Sequence, residues 1–233
     1  MTLREIAQRE LDIYRTTTNS KDAENIEIRH IISFIESARA RILQQRFNKP
    51  MYYINENLVQ SLIGEEFTLI KSNNSNITID GLSLSDLGRD VVISVRDIPK
   101  TIDRRNTPGT WIRVSPSDML NVRINMTNHE RAISSGYGKF NYNELFGFEY
   151  NDKVVIVSKN PTLLEGLTRL DLRGVFESPL AVMRLNNPTK EDEELWDMEY
   201  PLSLDLIDDI DNMIINEKLR IPMEGQTPEF PKE

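Results

Sequence analysis

Leu3, Ala7, Leu11 and Tyr14 recur three to four residues apart behind Thr2 and Glu5, which have the spacing of a capping box, and together they predict a helix from Thr2 to about Thr17. The polar run TTTNSKD ends it. Ile28, Ile31, Ile35, Ala38 and Ile42, spaced 3, 4, 3, 4, predict a longer helix from about Ala23 to Phe47, with Pro50 just past its end. The pattern then changes period. VVISVRDIP (Val91–Pro99) and TWIRVSP (Thr110–Pro116) are β-branched runs closed by proline, and ELFGFEYNDKVVIVS is a hairpin with Asn151 and Asp152 at its turn. In TRLDLRGVF, Thr168, Leu170, Leu172, Gly174 and Phe176 alternate with wetter positions, as one buried face of a strand requires. KSNNSNITIDGLSLSDLGRD predicts an exposed excursion with room for a small hairpin. A last helix, about Ser203 to Leu219, places Leu206, Ile207, Ile210, Met213 and Ile214 on one face and Asp205, Asp208, Asp209 and Asp211 on the other side. Ile215 and Leu219 form a second, smaller apolar spot on that outer side.

The predicted class is therefore α+β: a helical bundle made from the N-terminal helix pair and the C-terminal helix, with an antiparallel β domain inserted between them. The corresponding divisions are an N-terminal helical hairpin (1–50), a β-rich domain with long loops (51–200), a C-terminal helix packing on the N-terminal helices (201–220) and an extended arm (221–233). The arm, RIPMEGQTPEFPKE with its preceding arginine, has three prolines and no periodicity, and carries Ile221, Met223 and Phe230 as apolar anchors.

Composition narrows the classes of function. The 233 residues are 39% hydrophobic and 28% charged, an ordinary globular balance. No run approaches a membrane span, and MTLREIAQRE has no apolar core of a secretory signal, so a cytoplasm-like compartment is expected. Cysteine is absent, which removes disulfides, thiolate metal sites and cysteine nucleophiles. The net charge of −9 is uneven: residues 1–50 carry nine Lys/Arg against seven Asp/Glu, while residues 187–233 carry four against fourteen. Such segregation favours self-association through unlike patches over wrapping nucleic acid.

Candidate chemistry is sparse. His30 lies within the second helix at the edge of its apolar stripe, and His129 lies in a polar stretch, with no nucleophile motif set up around either. GYGK at 136–139 lacks the spacing of a phosphate loop. Ten carboxylates fall between residues 191 and 211, and Asp205 with Asp209, or Asp208 with Asp211, share a helix face. No EF-hand spacing or nearby histidine completes a metal shell, so a solvated acidic face is expected, with no catalytic residue, no metal and no cofactor. Arg39 and Arg41 flank the stripe of the second helix and Arg46 sits at its end. With Asp205, Asp208, Asp209, Ile215, Leu219, Ile221, Met223 and Phe230 they form the candidate subunit and partner interface.

Four strings, in this order and near these separations, resemble one family: IEIRHIISFIESARARILQQRF, IPKTID, GVFESP and WDMEYPLSLDLIDDIDNMI. Together they are similar to the ring-forming head–tail connector (neck or adaptor) proteins of crAss-like and related Bacteroidetes tailed phages. The resemblance covers both ends and much of the middle. Its one departure is Ser178, where an acidic residue before the proline of the third string is expected. What it implies is a virion structural protein, not an enzyme, forming a ring of twelve copies. Its partners would be other copies, the portal and adjacent connector or tail rings, with genomic DNA passing through the channel without specific binding and no membrane. The chain would occupy the host cytoplasm during assembly and the virion afterwards. Two other classes stay open on the residues alone: a metal-dependent phage nuclease or lyase built on the acidic cluster, and a small cytoplasmic binding protein.

Overall fold

The computed structural model describes residues 1–17, 26–49, 53–71, 78–79, 82–83, 90–104, 109–118, 122–134 and 143–214. These fall into two compact units, Met1–Ile42 with Glu191–Glu233, and Leu43–Lys190.

The second unit is organised by one seven-stranded sheet. Its strands are β1 (Gln60–Ile70), β4 (Val91–Ser94), β5 (Trp111–Pro116), β6 (Asn125–Met126), β7 (Phe146–Tyr150), β8 (Lys153–Val157) and β9 (Arg169–Gly174), in the order β5-β9-β1-β4-β8-β7-β6. A separate two-stranded ladder joins β2 (Thr78–Ile79) to β3 (Leu82–Ser83). β6 runs parallel to β7 and every other neighbouring pair is antiparallel. The sheet curls until its two edges nearly meet, and the Ile124 N–H donates to the Val114 carbonyl at 2.9 Å across the gap. The sheet is thus barrel-like but not fully laddered.

Local chemistry explains the elements. Asn151 and Asp152 take positive φ angles of 45° and 59°, which short polar side chains tolerate and a tight β7–β8 hairpin needs. Leu62, Phe67, Val92, Val114, Ile156, Leu170, Leu172 and Phe176 fill the interior. On the opposite side of β4, β7 and β8, Val91, Ile93, Phe148, Val155 and Val157 pack with Ala132 of the helix α3 (His129–Ser134). Both faces of β4 are therefore buried, and the unbroken VVIS run is the sequence of a strand covered on each side. Two further short helices, α4 (Pro161–Glu165) and α5 (Pro179–Asn186), each start with proline behind an Asn or Ser cap.

The first unit contains α1 (Leu3–Thr17), α6 (Asp192–Trp196), α7 (Leu204–Met213) and the greater part of α2 (Ile28–Phe47). The capping box forms: the Thr2 N–H donates to Glu5 Oε2 at 2.8 Å and the Glu5 N–H to Thr2 Oγ1 at 3.2 Å. Leu3, Ile6, Ala7, Leu11 and Tyr14 are buried, as are Ile31, Ile35, Ala38 and Ile42 and, from α7 and its C-cap, Leu206, Ile207, Ile210 and Ile214. The two chain ends meet through extended backbone: Thr2 bridges Glu199, and the Tyr200 N–H donates to the Met1 carbonyl at 3.2 Å.

These findings correct the expected class. The fold is a mixed, nearly closed barrel-like sheet with seven α-helices among the described residues, not a helical bundle carrying an inserted antiparallel domain. The parallel β6–β7 pair requires a crossover, which α3 lies on, and α4, α5 and α6 span only five to eight residues, too few for a periodicity to show. Other boundaries shift as well. The Val91–Pro99 run is strand only to Ser94, and within its polar stretch His129 opens a helix. Thr168 is exposed while Val175 is buried, the reverse of a strict alternation. Residues 136–139 and 215–233 lie outside the described set.

Candidate functional site

The four resemblance strings pair off, the first with the last and the second with the third. In the first unit, Arg39 of α2 is fully buried: its Nε donates to the Pro201 carbonyl at 3.1 Å, and its guanidinium lies 5.9 Å from the Tyr200 ring centroid. Burial lowers the Arg39 pKa, countered by Tyr200 and Glu36, and burial raises that of Tyr200. A planar, weakly hydrated cation over an aromatic ring is what this position asks of arginine.

In the second unit, IPKTID lies against GVFESP. Thr101 bridges Phe176, the Ile102 N–H donates to the Val175 carbonyl and the Glu177 N–H to the Lys100 carbonyl, both at 2.9 Å. Lys100 reaches Glu177 at 3.3 Å and Asp103 at 3.5 Å. Burial depresses the Lys100 pKa, but these two carboxylates outweigh it and leave the ammonium above its ordinary value. Beneath lies Glu149, whose Oε1 accepts from Thr101 Oγ1 at 2.5 Å. Its carboxyl is pushed up by burial, against the pull of Thr101 and of the Trp111 indole, which sits beside it without strict hydrogen-bond geometry. Gly109, at φ +72°, closes the group. A Cβ there would fall 2.8 Å from Glu149 Oε1 and 2.8 Å from Trp111 Nε1, so no other residue fits. Glu149, Asp103 and Lys100 line a pocket of about 260 Å³.

Ser178, the departure from the expected string, caps α5 by accepting the Ala181 N–H at 3.3 Å. Aspartate would make the same cap, so an acidic residue and Ser178 answer one local requirement.

The acidic segment meets basic partners inside its own unit. Arg4 Nε lies 2.5 Å from Asp197 and Arg4 stacks 5.6 Å from the Trp196 ring centroid, Arg29 reaches Glu193 at 3.5 Å, and Arg9 pairs with Asp211. Part of the charge segregation is therefore met within the unit, between α1 or α2 and the acidic segment. Asp205, Asp208 and Asp209 are exposed on α7, beside Leu204 at 80% exposure. Arg41 is exposed and Arg46 half-buried. Ile215, Leu219, Ile221, Met223 and Phe230 lie outside the described residues. His30 is exposed, and its Nδ1 accepts the Glu27 N–H at 3.2 Å. Sequence reasoning passed over Glu149, Thr101 and the arginines of β5 and β9. Glu149 carried one signal, a carboxylate inside the apolar run FGFEY.

No group of three or more His, Asp or Glu side chains positioned to hold a metal occurs among the described residues, and no helix there is long and apolar enough to cross a membrane. No curated protein matches the chain. A family model described as phage tail ring protein 2 matches residues 8–229, a span that contains all four strings and both pairings. The match runs nearly end to end, and the chain belongs to the phage tail ring protein 2 family of crAss-like phages.

Proposed function

We propose that the protein forms one ring, of twelve copies, in the stack that connects portal to tail around the DNA channel of a crAss-like phage. The family match across residues 8–229 carries this reading. In it the chains fold in the host cytoplasm, associate with one another and with the portal or adjacent ring proteins, and remain in the virion. Genomic DNA slides past without specific binding, since a chain of net charge −9 neutralises few phosphates and so adds little salt-sensitive affinity. The exposed positions Arg41, Asp205, Asp208 and Asp209 and the half-buried Arg46, with the apolar anchors Ile215, Leu219, Ile221, Met223 and Phe230, provide the contacts between copies and with neighbouring rings.

Copy number per purified particle, measured by quantitative mass spectrometry alongside a portal standard, tests the ring. Twelve copies are expected, and one or two per particle would overturn it. Deleting Pro222–Glu233 tests the arm. Burying each large apolar anchor contributes roughly 1.5–3 kcal/mol before ordering costs, so the truncated chain should fold yet leave heads without tails. Infectious particles at the normal level would remove the arm from the assembly.

A further inference from the structure

The outer face of β9 alternates Arg169, Asp171 and Arg173, and the first two are satisfied within the sheet. Arg169 reaches Glu66 at 3.5 Å, and Asp171 accepts the Gly64 N–H at 2.9 Å and the Ser117 hydroxyl at 2.6 Å. Among the described residues Arg173 has no such partner. Its cross-strand neighbours are Ser61 on β1 and, on β5, Arg113, whose Nε donates to Ser115 Oγ at 3.2 Å. Like charges directly opposite one another weaken a strand pair. Arg123, exposed beside the barrel gap, lines a cleft of about 240 Å³ together with Arg113. No carboxylate among the described residues pairs with Arg173 or Arg123.

Two isoleucines frame these arginines. The β1–β9 ladder breaks register between Leu62 and Glu65, and the β5–β9 ladder between Trp111 and Arg113. At each break the extra residue is turned out of the barrel: Ile63 is 75% and Ile112 44% exposed. A basic surface with exposed apolar side chains is built for an acidic partner that also brings an apolar one.

The same chain carries that partner. On α7, Leu204 is exposed one turn before Asp208, with Asp205 and Asp209 alongside. Residues three or four apart on a helix stand about 5–6 Å from each other, close to the spacing of about 5 Å between directly opposed strand residues. We infer that the Leu204/Asp205/Asp208 face of one copy docks on the Arg113/Arg173/Arg123 face of the next, with Leu204 against Ile112 or Ile63. Joining two different patches is a heterologous contact, which closes into a ring when its rotation allows. The inference rests on the ring reading and adds which surfaces meet.

Full-length protein is followed by sedimentation and native mass spectrometry over rising concentration. Arg113→Glu with Arg173→Glu, or Asp205→Arg with Asp208→Arg, should each weaken association by roughly tenfold or more, and the four changes together should restore it. Because the chain has no cysteine, Ile112→Cys and Leu204→Cys proteins can be mixed and oxidised without background. A mixed disulfide dimer in excess of either like pair is expected, and this result does not depend on the charge variants folding. Unchanged association of the Arg113/Arg173 variant, failure of the combined variant to recover, like-with-like disulfides only, or a wild-type chain that stays monomeric and uncrosslinked would each overturn the docking. So would binding of a short DNA duplex that the arginine changes abolish while self-association persists. Copy number in particles decides the ring reading separately: twelve copies with any of these results removes the docking alone.

Discussion

Glu65 and Glu10 are both buried carboxylates, one in each unit, and they are treated differently. Glu65, in the barrel unit, takes both oxygens to Arg96, at 3.1 and 2.5 Å. Glu10, in α1, is completely buried with neither oxygen hydrogen-bonded, and Arg9 approaches only to 3.8 Å. The contrast extends outward. The barrel interior is an apolar cluster, and the unit of the chain ends buries the Arg39 guanidinium and the Tyr200 ring. Both units bury polar groups, but the barrel unit matches Glu65 with a guanidinium while the unit of the chain ends leaves Glu10 without a hydrogen bond, so the two should respond to different perturbations.

The chain's two tryptophans make the contrast measurable, because Trp111 lies in one unit and Trp196 in the other. Phe176→Ala should have the largest effect. It removes a fully buried ring packed edge-on to Trp111 with centroids 5.8 Å apart, and should cost about 3–5 kcal/mol in denaturant melts followed by Trp111 in a Trp196→Phe background. An equal shift of the Trp196 signal, read in a Trp111→Phe background, would show that the units unfold together. Arg39→Ala should come next, at about 3 kcal/mol on the Trp196 signal, since it leaves the Pro201 carbonyl without its donor and empties a packed site. Arg39→Lys should not restore it, because an ammonium has no planar face to set over Tyr200.

Glu10→Gln should act in the opposite direction, stabilising by about 1–2 kcal/mol at pH 7. Burial holds the folded-state pKa of Glu10 above the ordinary 4.5, with Arg9 pulling it back in part. The folded state therefore favours the protonated carboxyl. Its contribution is complete below pH 4.5 and is lost as pH rises through the higher folded value. Chemical melts of the wild type against Glu10→Gln should converge in acid and separate toward neutrality. Separation in acid alone would contradict the assignment. Arg29→Ala should have the smallest effect, at most about 0.5 kcal/mol, since its pair with Glu193 is exposed and spans 3.5 Å.

What the sequence disclosed follows a physical line. The capping box at Thr2 and Glu5, the apolar stripe of α2 and the Asn151–Asp152 turn are signals written within a few residues, and all three appear in the structure. β1 was not legible. Its bulge at Ile63–Gly64, with Gly64 at φ +68°, breaks the alternation, and the buried Glu65 reads as a surface residue until Arg96 arrives from thirty-one positions away. Bundle and barrel could not be told apart for a related reason. Strand order and closure depend on pairings between distant segments, while helix faces advertise themselves locally. At the candidate surface, Asp205, Asp208 and Asp209 were visible as a run of acids. Arg173 and Arg113 became a pair only once the β5–β9 register placed them opposite each other.

That ladder also has a consequence for the order of events during synthesis. β1 is an interior strand of the sheet, yet its neighbour β9 is translated about a hundred residues later, and Thr2 waits for Glu199. A nascent chain emerging at roughly 5–20 residues per second therefore holds β1 without β9, and α1 without its closing segment, for many seconds. Contacts so distant in sequence fold late and slowly. The Arg113–Arg173 surface cannot exist until β9 has left the ribosome, and the α7 face comes later still. A chain built this way offers neither half of the proposed joint before it is nearly complete, which keeps unfinished subunits out of a growing ring.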